Sequence, residues 1–140
     1  MTHIPDSLRR AVIERANSCC EYCLVRAEET LFAHEVDHII AEKHHGATEL
    51  DNLCYACFKC NRYKGSDIAS LDIETNAITP LYNPRRDRWS DHFRLKAAVI
   101  EPLTPVGRVT MYLLQLNSDA RLVRRKELIG LGAYPCEHEL

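Results

Sequence analysis

Two Cys-x-x-Cys pairs, Cys20/Cys23 and Cys57/Cys60, constrain this chain more than any other feature, because they ask two segments 33 residues apart to converge on one point. Tetrahedral zinc takes four thiolates from two such knuckles, and cysteines paired at this spacing read as metal ligands in a reducing compartment. The total of seven cysteines is odd, which suits a disulfide scaffold less well. Buried small cysteines or a redox pair remain the alternative. Cys19 could stand in for Cys20, although only Cys20 has the two-residue spacing to Cys23. Cys54 reads as a small apolar strand residue and Cys136 as a free thiol near the terminus.

The 140 residues are expected to form a single domain, 1–140, with 46% hydrophobic and 27% charged content. No apolar run approaches the roughly 18 residues that span a bilayer, and Asp6, Arg9 and Arg10 break any secretory pattern at the N-terminus. A cytoplasmic protein with no membrane partner is expected. The net charge of −2 excludes a strongly basic coat, so nucleic acid would have to be met by local clusters. One is Lys59, Arg62 and Lys64, beside the second cysteine pair. Two others, Arg85/Arg86/Arg88 and Arg121/Arg124/Arg125/Lys126, read as solvated faces.

Periodicity predicts a helix over 5–16, with Leu8, Ala11, Val12 and Ala16 on one side, then a knuckle over 19–23. Residues 31–40 are β-compatible, 41–51 form a polar loop containing Gly46, and 53–56 a short return strand. A helix starting near Cys57 would place Cys57, Cys60, Asn61 and Lys64 on one face and stop at Gly65. Strands are expected over 78–82 and 93–100, the second with Phe93, Leu95, Ala97 and Val99 on one side. Thr104-Pro105 caps a helix through 116, and another runs over 118–129. The fold class is α+β, with residues 68–140 an extension of the core.

A four-thiolate zinc is coordinatively closed, so chemistry must sit elsewhere. Asp37, His38, Asn52 and Asn61 lie between and beside the ligands. Asp37 and Asn61 offer oxygens suited to magnesium or manganese, and His38 can act as a base near neutral pH. On a strand, Asp37 and His38 point to opposite faces unless the strand ends there and its twist turns both toward one cleft. The alternative is structural: a hydrogen-bonded Asp37-His38 pair, with Asn52 and Asn61 as turn or cap residues.

Together, Val36-Asp37-His38-Ile39-Ile40, Asp51-Asn52-Leu53 and Cys57-Phe58-Lys59-Cys60-Asn61-Arg62-Tyr63-Lys64-Gly65, framed by Cys20-Glu21-Tyr22-Cys23, resemble the HNH endonucleases, also called ββα-metal or His-Me finger nucleases. The likeness covers residues 20–66 and implies a treble-clef-like core over about 18–67 with a structural zinc. The segments Leu81-Tyr82-Asn83-Pro84-Arg85, Trp89-Ser90-Asp91-His92-Phe93 and Thr104-Pro105-Val106-Gly107-Arg108 are similar to the extension of a bacterial, cyanobacterial-type subgroup.

The resemblance implies that His38 is the general base and that Asp37 binds the catalytic divalent ion. Asn61, where many members carry His, would ligate that ion through its amide oxygen, a hard donor set that favours Mg2+ or Mn2+. Asn52 would hold the His38 region by hydrogen bonds. Lys59, Arg62, Lys64 and His45 would meet the phosphates of a nucleic acid, with DNA the expected substrate. His44 and His45 read otherwise as solvated, Asp91-His92 as structural, and His3, His34 and His138 as incidental. Breaking both strands with one active site calls for a homodimer or two successive nicks. The competing function is a zinc-stabilised nucleic-acid-binding or interaction module without cleavage.

Overall fold

The computed structural model describes residues 3–137. In chain order the elements are α1 (Asp6–Ala16), β1 (Glu35–His38), β2 (Leu53–Ala56), α2 (Phe58–Lys64), β3 (Ala69–Asp72), β4 (Ala77–Pro80), α3 (Trp89–His92), β5 (Phe93–Lys96), β6 (Val99–Pro102), α4 (Pro105–Leu113) and α5 (Asp119–Gly130). Short 3-10 turns cover Ala27–Glu29, Glu42–His44 and Leu50–Asn52. The strands pair as three antiparallel two-stranded sheets, β1-β2, β3-β4 and β5-β6. Ribbons this narrow are marginal alone and need packing on one face.

That packing comes from two apolar clusters. Val12 and Ala16 of α1 sit with Ile4, Leu53 and Tyr55, so the first helix covers one side of the β1-β2 hairpin. The larger cluster joins the knuckle residues Cys20, Tyr22 and Cys23 to Trp89, Phe93, Ile100, Leu114, Leu116 and Leu128. The extension thus shares one core with the motif-bearing half. Trp89 Nε1 donates to the Tyr22 carbonyl at 2.9 Å and Tyr134 Oη to the Cys23 carbonyl at 2.7 Å, which satisfies knuckle carbonyls that no strand pairs. No helix among the described residues is long and apolar enough to cross a membrane.

Several boundaries depart from the sequence expectation. The stretch 31–40 is strand only at Glu35–His38, and Leu31 and Phe32 are exposed. The single strand expected over 93–100 is a hairpin, β5-β6, turned at Ala97, which adopts a positive φ of 51°. The Ala97-Ala98 pair carries none of the Asn or Gly chemistry that marks such turns. Phe93 is therefore buried whereas Val99 is exposed, so the expected common face does not form. β3 and the single turn α3 had no sequence signal. Where the signals were local, boundaries match: Thr104 Oγ1 accepts from the Gly107 N–H at 3.1 Å and caps α4, and α2 ends at Gly65 with φ 53°.

Candidate metal centre and active site

The first knuckle forms because the chain leaves α1 through two left-handed residues, Asn17 and Ser18, and turns again at Leu24. The second forms because Cys57 is not helical: it is the N-cap of α2, with φ −68° and ψ 161°. The face expected to include Cys57 is thus carried by the helix only from Cys60 onward. The backbone N–H of Cys23 points at Cys20 Sγ (3.5 Å), and that of Cys60 at Cys57 Sγ (3.4 Å), the same pairing in both knuckles. All four Sγ atoms lie within 4.8 Å of one another, fully enclosed, with Cys23 and Cys57 3.7 Å apart. A zinc tetrahedron with Zn–S arms of about 2.3 Å has S···S edges of about 3.8 Å, so the donor set fits zinc in size, charge and softness. Burial pushes the Cys20 and Cys60 thiols up, while hydrogen bonds from neighbouring sulfurs pull Cys23 down. Four thiolates this close ionise together only around a cation.

The other cysteines fall outside the frame. Cys54 lies in β2, where burial pushes its thiol up to about 12 and makes it unreactive. Cys136 is not the free thiol expected: it is disulfide-bonded to Cys19 across 117 residues. The pairing depends on the C-terminal segment folding back, with Cys136 N–H donating to the Leu24 carbonyl at 2.9 Å. No local spacing announces it.

Asp37 and His38 are adjacent on β1, paired with Cys54 and Leu53. The two side chains meet different neighbours. Asp37 is half-buried; burial raises its carboxyl, opposed by Lys64 and by the His38 backbone N–H. His38, only 8% exposed, turns to the loop, where Nε2 lies 2.8 Å from Thr48 Oγ1 and 3.6 Å from Glu42 Oε1. Neither loop residue was singled out by the sequence, although Glu42 sits at i+4 from His38.

Asn52 ties the loop to the chain just past β1. Its Oδ1 accepts from the Ile40 N–H (3.0 Å) and its Nδ2 donates to the carbonyls of Ile40 and Ala47 (both 2.9 Å). The loop closes over this amide so tightly that a Cβ at Gly46 would lie 1.7 Å from the Ile40 carbonyl oxygen. Asn61 projects from α2 toward β1, and its Nδ2 donates to Glu35 Oε2 at 2.5 Å. Glu35 stands two residues before Asp37 on the same face of the strand, one position ahead of the 36–40 motif, where no pattern marks it.

The cationic residues divide. Lys59, Arg62 and His45 are exposed, as phosphate contacts require. Lys64 is not: it is 2% exposed and its ammonium donates to the Ile39 carbonyl at 2.9 Å. It ties α2 to the end of β1 and offers no charge to solvent. The supposed solvated faces also turn partly inward. Arg85 is paired with Glu21, whose other oxygen accepts from the Tyr55 N–H at 2.8 Å. Arg121 and Arg125 are buried, and Arg121 Nη2 lies 2.9 Å from Cys60 Sγ. Helical spacing placed them on the face that also carries Leu128, a signal that charge content obscured. His92 is structural as expected, with Nδ1 2.6 Å from Thr104 Oγ1.

Comparison with known proteins places the motif-bearing segment beside a known family. Residues 20–67 match the family model for the HNH endonuclease, from the first knuckle to the end of α2, which bears out the resemblance read from the motifs. The Septu protein PtuB of Bacillus thuringiensis is 28% identical over 125 residues, covering 88% of this chain and 46% of its own length. The chain therefore spans less than half of that relative. No solved structure matches.

Proposed function

We propose that this chain is a metal-dependent endonuclease that hydrolyses phosphodiester bonds, with DNA as substrate, and that zinc in the four-cysteine frame is structural. The observation that carries the reading is that Asn61 on α2 bonds Glu35, two residues before Asp37 on β1, beside a closed four-cysteine frame and within the HNH-like segment. A divalent ion, Mg2+ or Mn2+, held by Asp37 and Asn61, would supply charge to offset what develops on the phosphate and the leaving oxygen. Glu35 orients Asn61: with Nδ2 donating to Glu35, the amide Oδ1 is the atom left to face a cation.

His38 receives the proton of the attacking water. An oxygen of Thr48 and a carboxylate oxygen of Glu42 both face Nε2, which favours the tautomer with the proton there and leaves the lone pair on Nδ1. Lys59, Arg62 and His45 contact the phosphates of the bound strand. Likeness to the Septu protein PtuB runs over most of the chain, which supports treating the extension as part of the same working unit.

The burial of His38, 8% exposed, favours a second reading, a zinc-held nucleic-acid-binding module that does not cut. Plasmid nicking in Mg2+ or Mn2+ separates the two. Wild type is expected to cut and His38→Ala to lose roughly 100- to 10,000-fold in rate with its zinc and fold intact. Equal cutting by both removes His38 as the base, and binding without any cleavage of DNA or RNA selects the module.

A further inference from the structure

The second knuckle is touched by a cation from far along the chain. Arg121, on α5, is 6% exposed; its Nη1 donates to the Leu114 carbonyl at 2.8 Å, and its Nη2 lies 2.9 Å from Cys60 Sγ and 3.8 Å from Cys57 Sγ. Among the described residues its hydrogen-bond partners are carbonyls and cysteine sulfurs, with no carboxylate. A buried guanidinium is costly to desolvate, and an adjacent negative charge offsets that cost further than carbonyl dipoles do. Four thiolates around a divalent cation carry a formal charge of about −2, also costly to bury. The two costs offset each other when the charges are adjacent.

We propose that Arg121 is a positioning residue of the zinc centre, by which the C-terminal extension completes a metal site whose ligands all lie within residues 20–60. Its N–H groups hold the Cys60 sulfur in one orientation. Because Cys60 and Asn61 are consecutive on α2, the same contact fixes the helix that presents Asn61 to β1. Arg125, one turn along α5, is the internal control: it is also buried but donates to the Ala98 carbonyl (2.7 Å) and to Asn117 Oδ1 (2.9 Å) and, among the described residues, to no sulfur. The proposal rests on the reading that the four thiolates hold zinc.

The test uses the full-length chain and measures zinc release to a chromogenic chelator, together with the thiolate-to-cobalt charge-transfer band of the Co2+-substituted protein. Arg121→Met is expected to speed zinc release roughly ten- to hundredfold and to shift the band, because loss of a group that orients a ligand typically weakens a metal site by that factor. Arg121→Lys, which keeps the charge but not the fork, should recover part of the difference. Arg125→Lys should leave both readouts unchanged even where it lowers the melting temperature. If Arg121→Met cannot be obtained folded, Arg121→Lys against Arg125→Lys decides the matter: faster release and a shifted band in the first alone support the proposal. Equal release and equal spectra in the two, or an Arg121→Met protein indistinguishable from wild type, overturn it. Wild type purified folded without zinc would remove the zinc reading first, and this proposal with it.

Discussion

Asn61 sits one residue past Cys60 of the four-cysteine frame, yet its side-chain partner is Glu35 on the opposite element, 26 residues earlier. The motif locates Asn61, but its rotamer is set by a carboxylate that the motif does not include. Glu35→Ala is expected to raise the divalent-ion concentration needed for half-maximal nicking roughly ten- to hundredfold, because the amide is then free to turn its oxygen away. Glu35 is exposed, so the melting temperature should hold; Mn2+ titrations beside thermal melts check both. Gly46 gives a second residue-level prediction. An added Cβ would collide with the Ile40 carbonyl, which is backbone and cannot swing aside, and would crowd Asn52 Nδ2 at 2.8 Å. Gly46→Ala should cost about 1–3 kcal/mol in denaturant unfolding and slow nicking, since the displaced loop carries Thr48 away from His38. Of these residues, Asp37, His38, Asn52 and Asn61 were legible as motif letters; Glu35 and Thr48 were not, since an acid and a hydroxyl on the surface of a strand or loop have no distinguishing pattern.

Among the elements, those with local determinants were legible. α1, β2, α2 and α4 follow from apolar spacing, from a Gly stop or from a Thr-Pro start. The β5-β6 turn at Ala97 and the register of β3 with β4 depend on what packs over them, chiefly α4. One tie between these elements has a definite acid dependence. Arg108 on α4 donates through Nε and Nη2 to both carboxylate oxygens of Asp72 at the end of β3 (3.0 and 2.9 Å), which holds the Asp72 carboxyl far below the usual carboxylate range. A carboxyl depressed in the folded state stabilises fully above its unfolded value, about 3.9, and that stabilisation drains away as pH falls through the folded value. Wild type should therefore lose stability steeply below about pH 4, and Asp72→Asn should be less stable at pH 7 with a flatter acid limb. Melts between pH 2 and 7 test this; parallel acid limbs would remove Asp72 from the account.

At the scale of the whole molecule, the four-cysteine frame and the extension hold each other. Trp89 and Tyr134 cap carbonyls of the first knuckle, Arg121 bonds a sulfur of the second, and the Cys19–Cys136 disulfide returns the C-terminal segment to the end of α1. Removal of the metal should then unfold more than the knuckles. Structural zinc contributes on the order of 10–16 kcal/mol of apparent binding free energy, comparable to the roughly 5–15 kcal/mol that keeps a domain folded. Chelation at neutral pH, and equally Cys57→Ser, is expected to abolish the cooperative melt followed by circular dichroism. A chelated protein with an unchanged melt would show that the frame is held by packing instead.

What the sequence determined by itself is what short spacing can encode: two knuckles able to face one ion, the Asp37-His38 pair on a strand, the loop amide of Asn52, and Asn61 tied by a single peptide bond to Cys60. What only the tertiary structure decided is where the charged side chains went. Lys64 and Arg121 belong to clusters that look solvated, because Lys and Arg are usually solvated and their sequence neighbours are polar. Both are buried because an acceptor lies within reach across the fold, the Ile39 carbonyl for one and the Cys60 sulfur, 61 residues away in sequence, for the other. A buried cation is stable only beside such a partner, and no pattern along the chain identifies a partner that only folding brings near.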